Sequence, residues 1–238
     1  MTIAAALLLS GTALAQLQTD IPAKTDAAPA VDFVFAEAPD DHVIGSETAA
    51  QTIIIYASVT CPHCGDWFSE EWDAVKTGLV DTNLARIVFR ELPTAPQQMS
   101  VTGFLLAECA PREHYFDIIL YQMKNQDAIY DAAREGTVRT EYQKIAKMAG
   151  MEDDDAITAC LRNPDMMAHI QASADRLRAS GARGVPAFFI NGERYDGETD
   201  AKTMVDLITD MDARGISTIP ADAQSRKPAA DHAGHDHE

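Results

Sequence analysis

The chain has 238 residues, 46% hydrophobic and 24% charged, which suits one globular domain with a sizeable insertion, or two small lobes, and excludes a disordered protein. Its formal net charge of −18 argues against nucleic acid as a partner and against an electrostatic hold on anionic lipids. The first fifteen residues, MTIAAALLLSGTALA, carry no charge, and the apolar run from Ile3 to Leu9 leads into Ala13-Leu14-Ala15, the small-x-small pattern that signal peptidase reads. Residues 1–15 are therefore expected to be a signal peptide, too short for a membrane span of roughly 20 residues. No Lys or Arg precedes the apolar run, so the competing reading is an apolar N-terminal helix. No cysteine follows the cleavage site, and no lipid anchor is expected there. Residues 16–40, rich in Ala, Pro, Asp and Thr without a sustained period, read as a flexible leader.

A buried strand is expected at Thr52–Tyr56, TIIIY, β-branched and aromatic, ending just before Cys61. A helix follows Cys64, with Trp67, Trp72, Val75 and Leu79 set among Asp66, Glu70, Glu71 and Asp73. A second strand runs from Arg86 to Leu92 and is stopped by Pro93. About 85 residues of helical character come next, with apolar positions at Phe116, Ile119, Leu120 and Met123, at Tyr142, Ile145, Ala146 and Ala149, and at Met167, Ile170, Ala174 and Leu177. Asn163-Pro164-Asp165 reads as the entry to the last of these helices and Gly181 as its stop. Val185-Pro186 then leads into Ala187–Ile190, and Asn191-Gly192 signals a hairpin, since a type I′ turn needs positive φ at both positions. A final helix carries Met204, Leu207, Ile208 and Met211 on one face, and a polar tail ends in His232, His235 and His237.

Strand, helix, strand, helical block, hairpin and helix describe an α/β chain, a thioredoxin fold with an inserted helical domain. The division is 41–97 for the first part of the thioredoxin-fold domain, 98–181 for the insertion, 182–214 for the second part, and 215–238 for a disordered acidic tail. The tail histidines admit weak transition-metal binding, with a solvated tail preferred on composition.

Four cysteines in an exported chain suggest pairing, and four allow three connectivities. The simplest is 61–64 with 109–160; two buried free thiols at Cys109 and Cys160 are the rival. A lone C-x-x-C also serves as half a zinc site. No second C-x-x-C or H-x-x-H lies in the body of the chain, so no metal site and no cofactor are expected. Between a buried strand and a helix, Cys61 falls at a helix N-terminus, where unpaired N–H groups and the dipole stabilise a thiolate. Pro62 suits the first helical turn. His63 adds positive charge when protonated, or is a solvated loop residue. A thiolate exists only in the reduced form, so lowering the Cys61 pKa makes the disulfide a stronger oxidant. Pro186 opens a strand, where proline is tolerated; a cis Val185–Pro186 bond would put backbone groups beside the cysteines.

Taken together, HVIGSETAAQTIIIYASVTCPHC, FRELP and GVPAFFINGERYDG resemble the DsbA family of bacterial periplasmic dithiol oxidases, in its alphaproteobacterial branch, over roughly residues 41 to 214. The resemblance implies a protein-disulfide oxidoreductase of the periplasm, with Cys61 as nucleophile and Cys64 as its buried partner. It implies a cis-proline loop at Val185 and Pro186, a structural disulfide between Cys109 and Cys160, and a helical lid. It also implies reduced unfolded secreted proteins as substrates, a DsbB-like quinone-linked membrane oxidoreductase as partner, and a monomer. Val185 favours this over isomerases of the DsbC/DsbG type, which usually carry Thr there and a dimerisation domain for which the leader is too short. A metallochaperone module is the non-enzymatic alternative. One departure stands out: Ile55 occupies the position, six before Cys61, where many thioredoxin-fold proteins place an acid.

Overall fold

The computed structural model describes residues 33–224. The expected signal peptide and the tail histidines lie outside the described residues. Five strands form one sheet in the order β1-β3-β2-β4-β5. They are β1 (His42–Ile44), β2 (Gln51–Ala57), β3 (Ala85–Glu91), β4 (Ala187–Ile190) and β5 (Glu193–Tyr195). β2 runs parallel to β3, with Ile55 opposite Phe89, and antiparallel to β4, with Ile55 opposite Phe188. Its side chains serve both faces. Ile53, Ile55 and Ala57 enter the main core; Ile54 and Tyr56 join Val88, Leu177, Ala187 and Phe189 on the other side. That two-sided burial explains why β2 reads as a near-continuous apolar run instead of an alternating one.

Helix α1 (Pro62–Glu70) and the short α2 (Trp72–Val75) follow β2, and a π-helical turn at Lys76–Val80 leads to β3. The inserted block comprises α3 (Gln97–Glu108), α4 (Tyr115–Lys124), α5 (Gln126–Arg134), α6 (Val138–Met148), α7 (Asp154–Leu161) and α8 (Pro164–Ala179). α3 is its buried axis, with Phe104, Leu105, Leu106 and Ala107 all in the core. Caps fix the borders. Asp153 accepts from the Ala156 N–H ahead of α7, and Asn163 accepts from Asp165 and Met166 ahead of α8, where Pro164 holds the first position. The hairpin turn has φ of 50° at Asn191 and 86° at Gly192. Helix α9 (Ala201–Ala213) buries Met204, Leu207, Ile208 and Met211, and α10 (Ala221–Gln224) closes the described chain. The architecture is a thioredoxin fold with a helical insertion.

Two stretches depart from the reading of the sequence. Residues 33–41, placed mostly in a flexible leader, are tied to the sheet by Arg90. Its guanidinium donates to the carbonyls of Phe33, Val34 and Ala36 and pairs with Asp41 at 2.7 Å, both side chains 1% exposed. A charge inside a strand has to be met by such partners, and the segment supplies them. Beyond Gly215, Ile219 is buried against the core and α10 follows, so the first ten residues of the expected tail pack on the domain. Strand β1, three residues long, was too short to register as a pattern.

Candidate active site

Cys61 stands at the N-cap of α1 with extended backbone (φ −91°, ψ 118°), and no side chain caps the helix. Its carbonyl accepts from the N–H groups of Cys64 and Gly65, both at 3.0 Å, so the helix starts at the cysteine itself. Pro62 and His63 are exposed, Cys61 is half-buried and Cys64 is fully buried. Both are free thiols. The Cys61 thiol is held down at about 6, first by the hydrogen bond from the Cys64 thiol, against the opposing effect of burial. The Cys64 N–H, the charge of His63 and the His63 N–H lower it further. Burial pushes the Cys64 thiol far up, and proximity to Cys61 adds to it. One thiol of the pair therefore ionises near neutrality while the other keeps its proton.

The opposite wall is the Val185–Pro186 bond, which is cis. The Val185 carbonyl lies 3.4 Å from Cys61 Sγ. This brings together residues 124 positions apart, from the head of α1 and the approach to β4. Cys109 and Cys160 are elsewhere, joined by a disulfide with Cα atoms 5.9 Å apart that links the end of α3 to α7. Ile55 is wholly buried in β2. The N–H of Ser58 points at Cys64 Sγ from 3.5 Å.

Several supporting residues carry no sequence signal. Gln126 Nε2 on α5 donates to the Cys61 carbonyl at 3.0 Å, and the Tyr130 hydroxyl donates to the Thr60 carbonyl at 2.7 Å. The insertion thereby grips the active-site loop from above. Below it, Ser58, Thr60 and Thr94 join hydroxyls at 2.8–3.2 Å, tying the β2–α1 loop to the segment after β3. Gly65 leaves room for this grip: a Cβ there would lie 2.6 Å from Gln126 Oε1. Apolar spacing marks none of these, because they act through hydrogen bonds and close approaches between segments distant in sequence.

A family model described as Thioredoxin matches residues 37–210. A curated relative from Rickettsia conorii, carried under the name of a protein-disulfide oxidoreductase, is 27% identical over 174 residues, covering 71% of this chain and 60% of the relative. The chain thus spans about three fifths of the length of the curated Rickettsia relatives it matches. Among solved structures, alpha-DsbA1 of Wolbachia pipientis superposes with a TM-score of 0.65 at 22% identity, over 75% of this chain and 94% of that one. A protein-disulfide isomerase from Novosphingobium aromaticivorans gives 0.59 at 21% identity, over 73% and 96%. These likenesses are likenesses of fold.

Proposed function

The chain belongs to the thioredoxin family, and from that premise we propose that it is a periplasmic thiol-disulfide oxidoreductase of DsbA type, a dithiol oxidase for reduced secreted proteins. The observation that supports this most is the unequal thiol pair: an accessible Cys61 held down at about 6 beside a buried Cys64 that stays protonated. In the oxidised enzyme a substrate thiolate attacks Cys61 Sγ, forming the substrate–Cys61 bond and breaking the Cys61–Cys64 bond. The pair of electrons leaves on Cys64, which takes up a proton. A second substrate thiolate then attacks the substrate sulfur of the mixed disulfide and expels Cys61 as a thiolate. The substrate is oxidised by two electrons and the enzyme reduced by two. A leaving thiol of low pKa departs faster, so Cys61 is suited to the second step. Cys64, protonated, is a poor nucleophile toward the mixed disulfide, which favours forward transfer. The Val185 carbonyl, beside the sulfur, and the Pro186 loop are the proposed seat for the substrate backbone. Re-oxidation falls to a quinone-linked membrane partner of DsbB type, and the enzyme acts as a monomer.

Stopped-flow oxidation of a reduced, unfolded disulfide protein tests the reading. Stoichiometric transfer, abolished by Cys61→Ser, and a Cys61/Cys64 potential more oxidising than the glutathione couple are expected. Recovery of activity from a scrambled substrate by a dimer would instead identify an isomerase. Tight Zn²⁺ or Cu⁺ on Cys61 and Cys64 without thiol transfer would identify a metallochaperone.

A further inference from the structure

Away from the thiols, four side chains from four elements converge: His42 of β1, Glu91 at the end of β3, Glu108 at the end of α3 and His169 of α8. One nitrogen or oxygen from each lies within 4.8 Å of every other. His42 Nε2 and His169 Nδ1 both stand 2.9 Å from the same oxygen, Glu108 Oε1. Glu91 is fully buried and takes the Tyr115 hydroxyl on Oε1, while its Oε2 has no hydrogen-bond partner. Stranding a carboxylate oxygen in the interior is costly. Two carboxylates this close need a proton or a positive charge between them, and a cation can supply the latter.

We propose that His42, Glu91, Glu108 and His169 bind a divalent first-row transition-metal ion, Zn²⁺ being the cation the site fits. Two imidazoles and two carboxylates, with no thiolate, form a nitrogen–oxygen donor set suited to Zn²⁺, and their charges balance a dication. Around a tetrahedral zinc the donor atoms sit roughly 3.3 Å apart, so the 2.9 Å contacts open slightly and the wider ones close. The Tyr115 hydroxyl on Glu91, with its ring stacked on His42 at 3.4 Å, orients two of the ligands, and Asp40 Oδ2, 3.6 Å from His169 Nε2, helps set the ring of a third. A cleft of about 650 Å³, bordered by Asp40, His42, Glu108 and His169, gives the ion a way in. Bound there, it would fasten the sheet edge to the helical insertion. The proposal is independent of the redox reading.

The test uses the full chain carrying C61S/C64S and H232A/H235A/H237A, so that neither the thiols nor the tail supplies ligands. After chelator treatment, Zn²⁺ is titrated by calorimetry and its effect on thermal unfolding is followed. One equivalent and a raised Tm are expected. H169A and E108Q should each weaken Zn²⁺ binding by at least the ~10–100-fold seen when an outer-shell partner is lost, and abolish the Tm response. Should a ligand variant fail to fold, the Co²⁺ spectrum of the parent protein decides: tetrahedral d–d bands without thiolate charge transfer support the site. No bound metal, a featureless octahedral spectrum, or undiminished affinity in a folded H169A overturns it.

Discussion

Two residues separate Cys61 from Cys64, yet their environments drive the two thiols in opposite directions. Cys61 ionises below an ordinary thiol, so its thiolate contributes stability to the reduced fold that is fully present above the unfolded pKa, near 9, and lost as pH falls through about 6. Thermal unfolding of the reduced protein should therefore gain on that of the disulfide form as pH rises from about 6 to about 9. Ultraviolet thiolate absorbance should titrate with a midpoint near 6. Across that point the potential should change its pH slope from about 59 to about 30 mV per pH unit, because one proton fewer accompanies the two electrons. Cys64→Ala removes the largest lowering contact and should return the midpoint toward that of a free thiol; His63→Ala should raise it only slightly, since the Cys64 contact stands ahead of it. Cys61 to Cys64, and Val185 with Pro186, are legible because short contiguous motifs at element borders carry them. Gln126 and Tyr130 are not, since nothing in a helical period says which face will meet a loop more than sixty residues back, and Thr94 sits in a short connection with no period at all. Ile55 marks the limit of analogy: an apolar side chain, wholly buried, stands where an acid would be expected.

The inserted helices were readable as a block from their apolar spacing, but not their function as a clamp. Gly65→Ala should test that clamp. The added methyl collides with the end of the Gln126 side chain, which can swing aside, so the amide should detach from the Cys61 carbonyl while the helix propensity of Ala, about 1 kcal/mol over Gly, offsets the lost contact and denaturant unfolding changes little. Accelerated alkylation of Cys61 at fixed pH would report the loosened loop. The disulfide acts elsewhere in the same block. It closes a loop across a sequence separation of 51, so C109A/C160A should lower stability by about 4 kcal/mol in the chain-entropy model while leaving the Cys61 titration unmoved. The four residues proposed to hold metal were invisible to motif reading, because they come singly from β1, β3, α3 and α8 and share no spacing.

At the scale of the molecule, Arg90 and Asp41 are the most exacting pair, each 1% exposed. Asp41→Asn leaves the guanidinium buried without its counter-charge and should cost about 3–5 kcal/mol by urea unfolding, with the chain around residues 33–40 becoming open to proteolysis. At both ends a polar stretch is drawn onto the domain, by Arg90 and by the burial of Ile219, and composition alone carries no sign of either partner. The order of strands has a temporal side. β2 meets β3 early in the chain, but its other neighbour, β4, lies beyond the whole insertion. Contacts so distant in sequence carry a larger loop-closure cost than the β2–β3 pairing. A chain emerging from its N-terminus thus presents both cysteines before the strand that walls them exists. Until that strand docks, Cys61 already has Cys64 and His63 to hold its thiol down, but it lacks the Val185 carbonyl and the Pro186 loop proposed to seat a substrate chain.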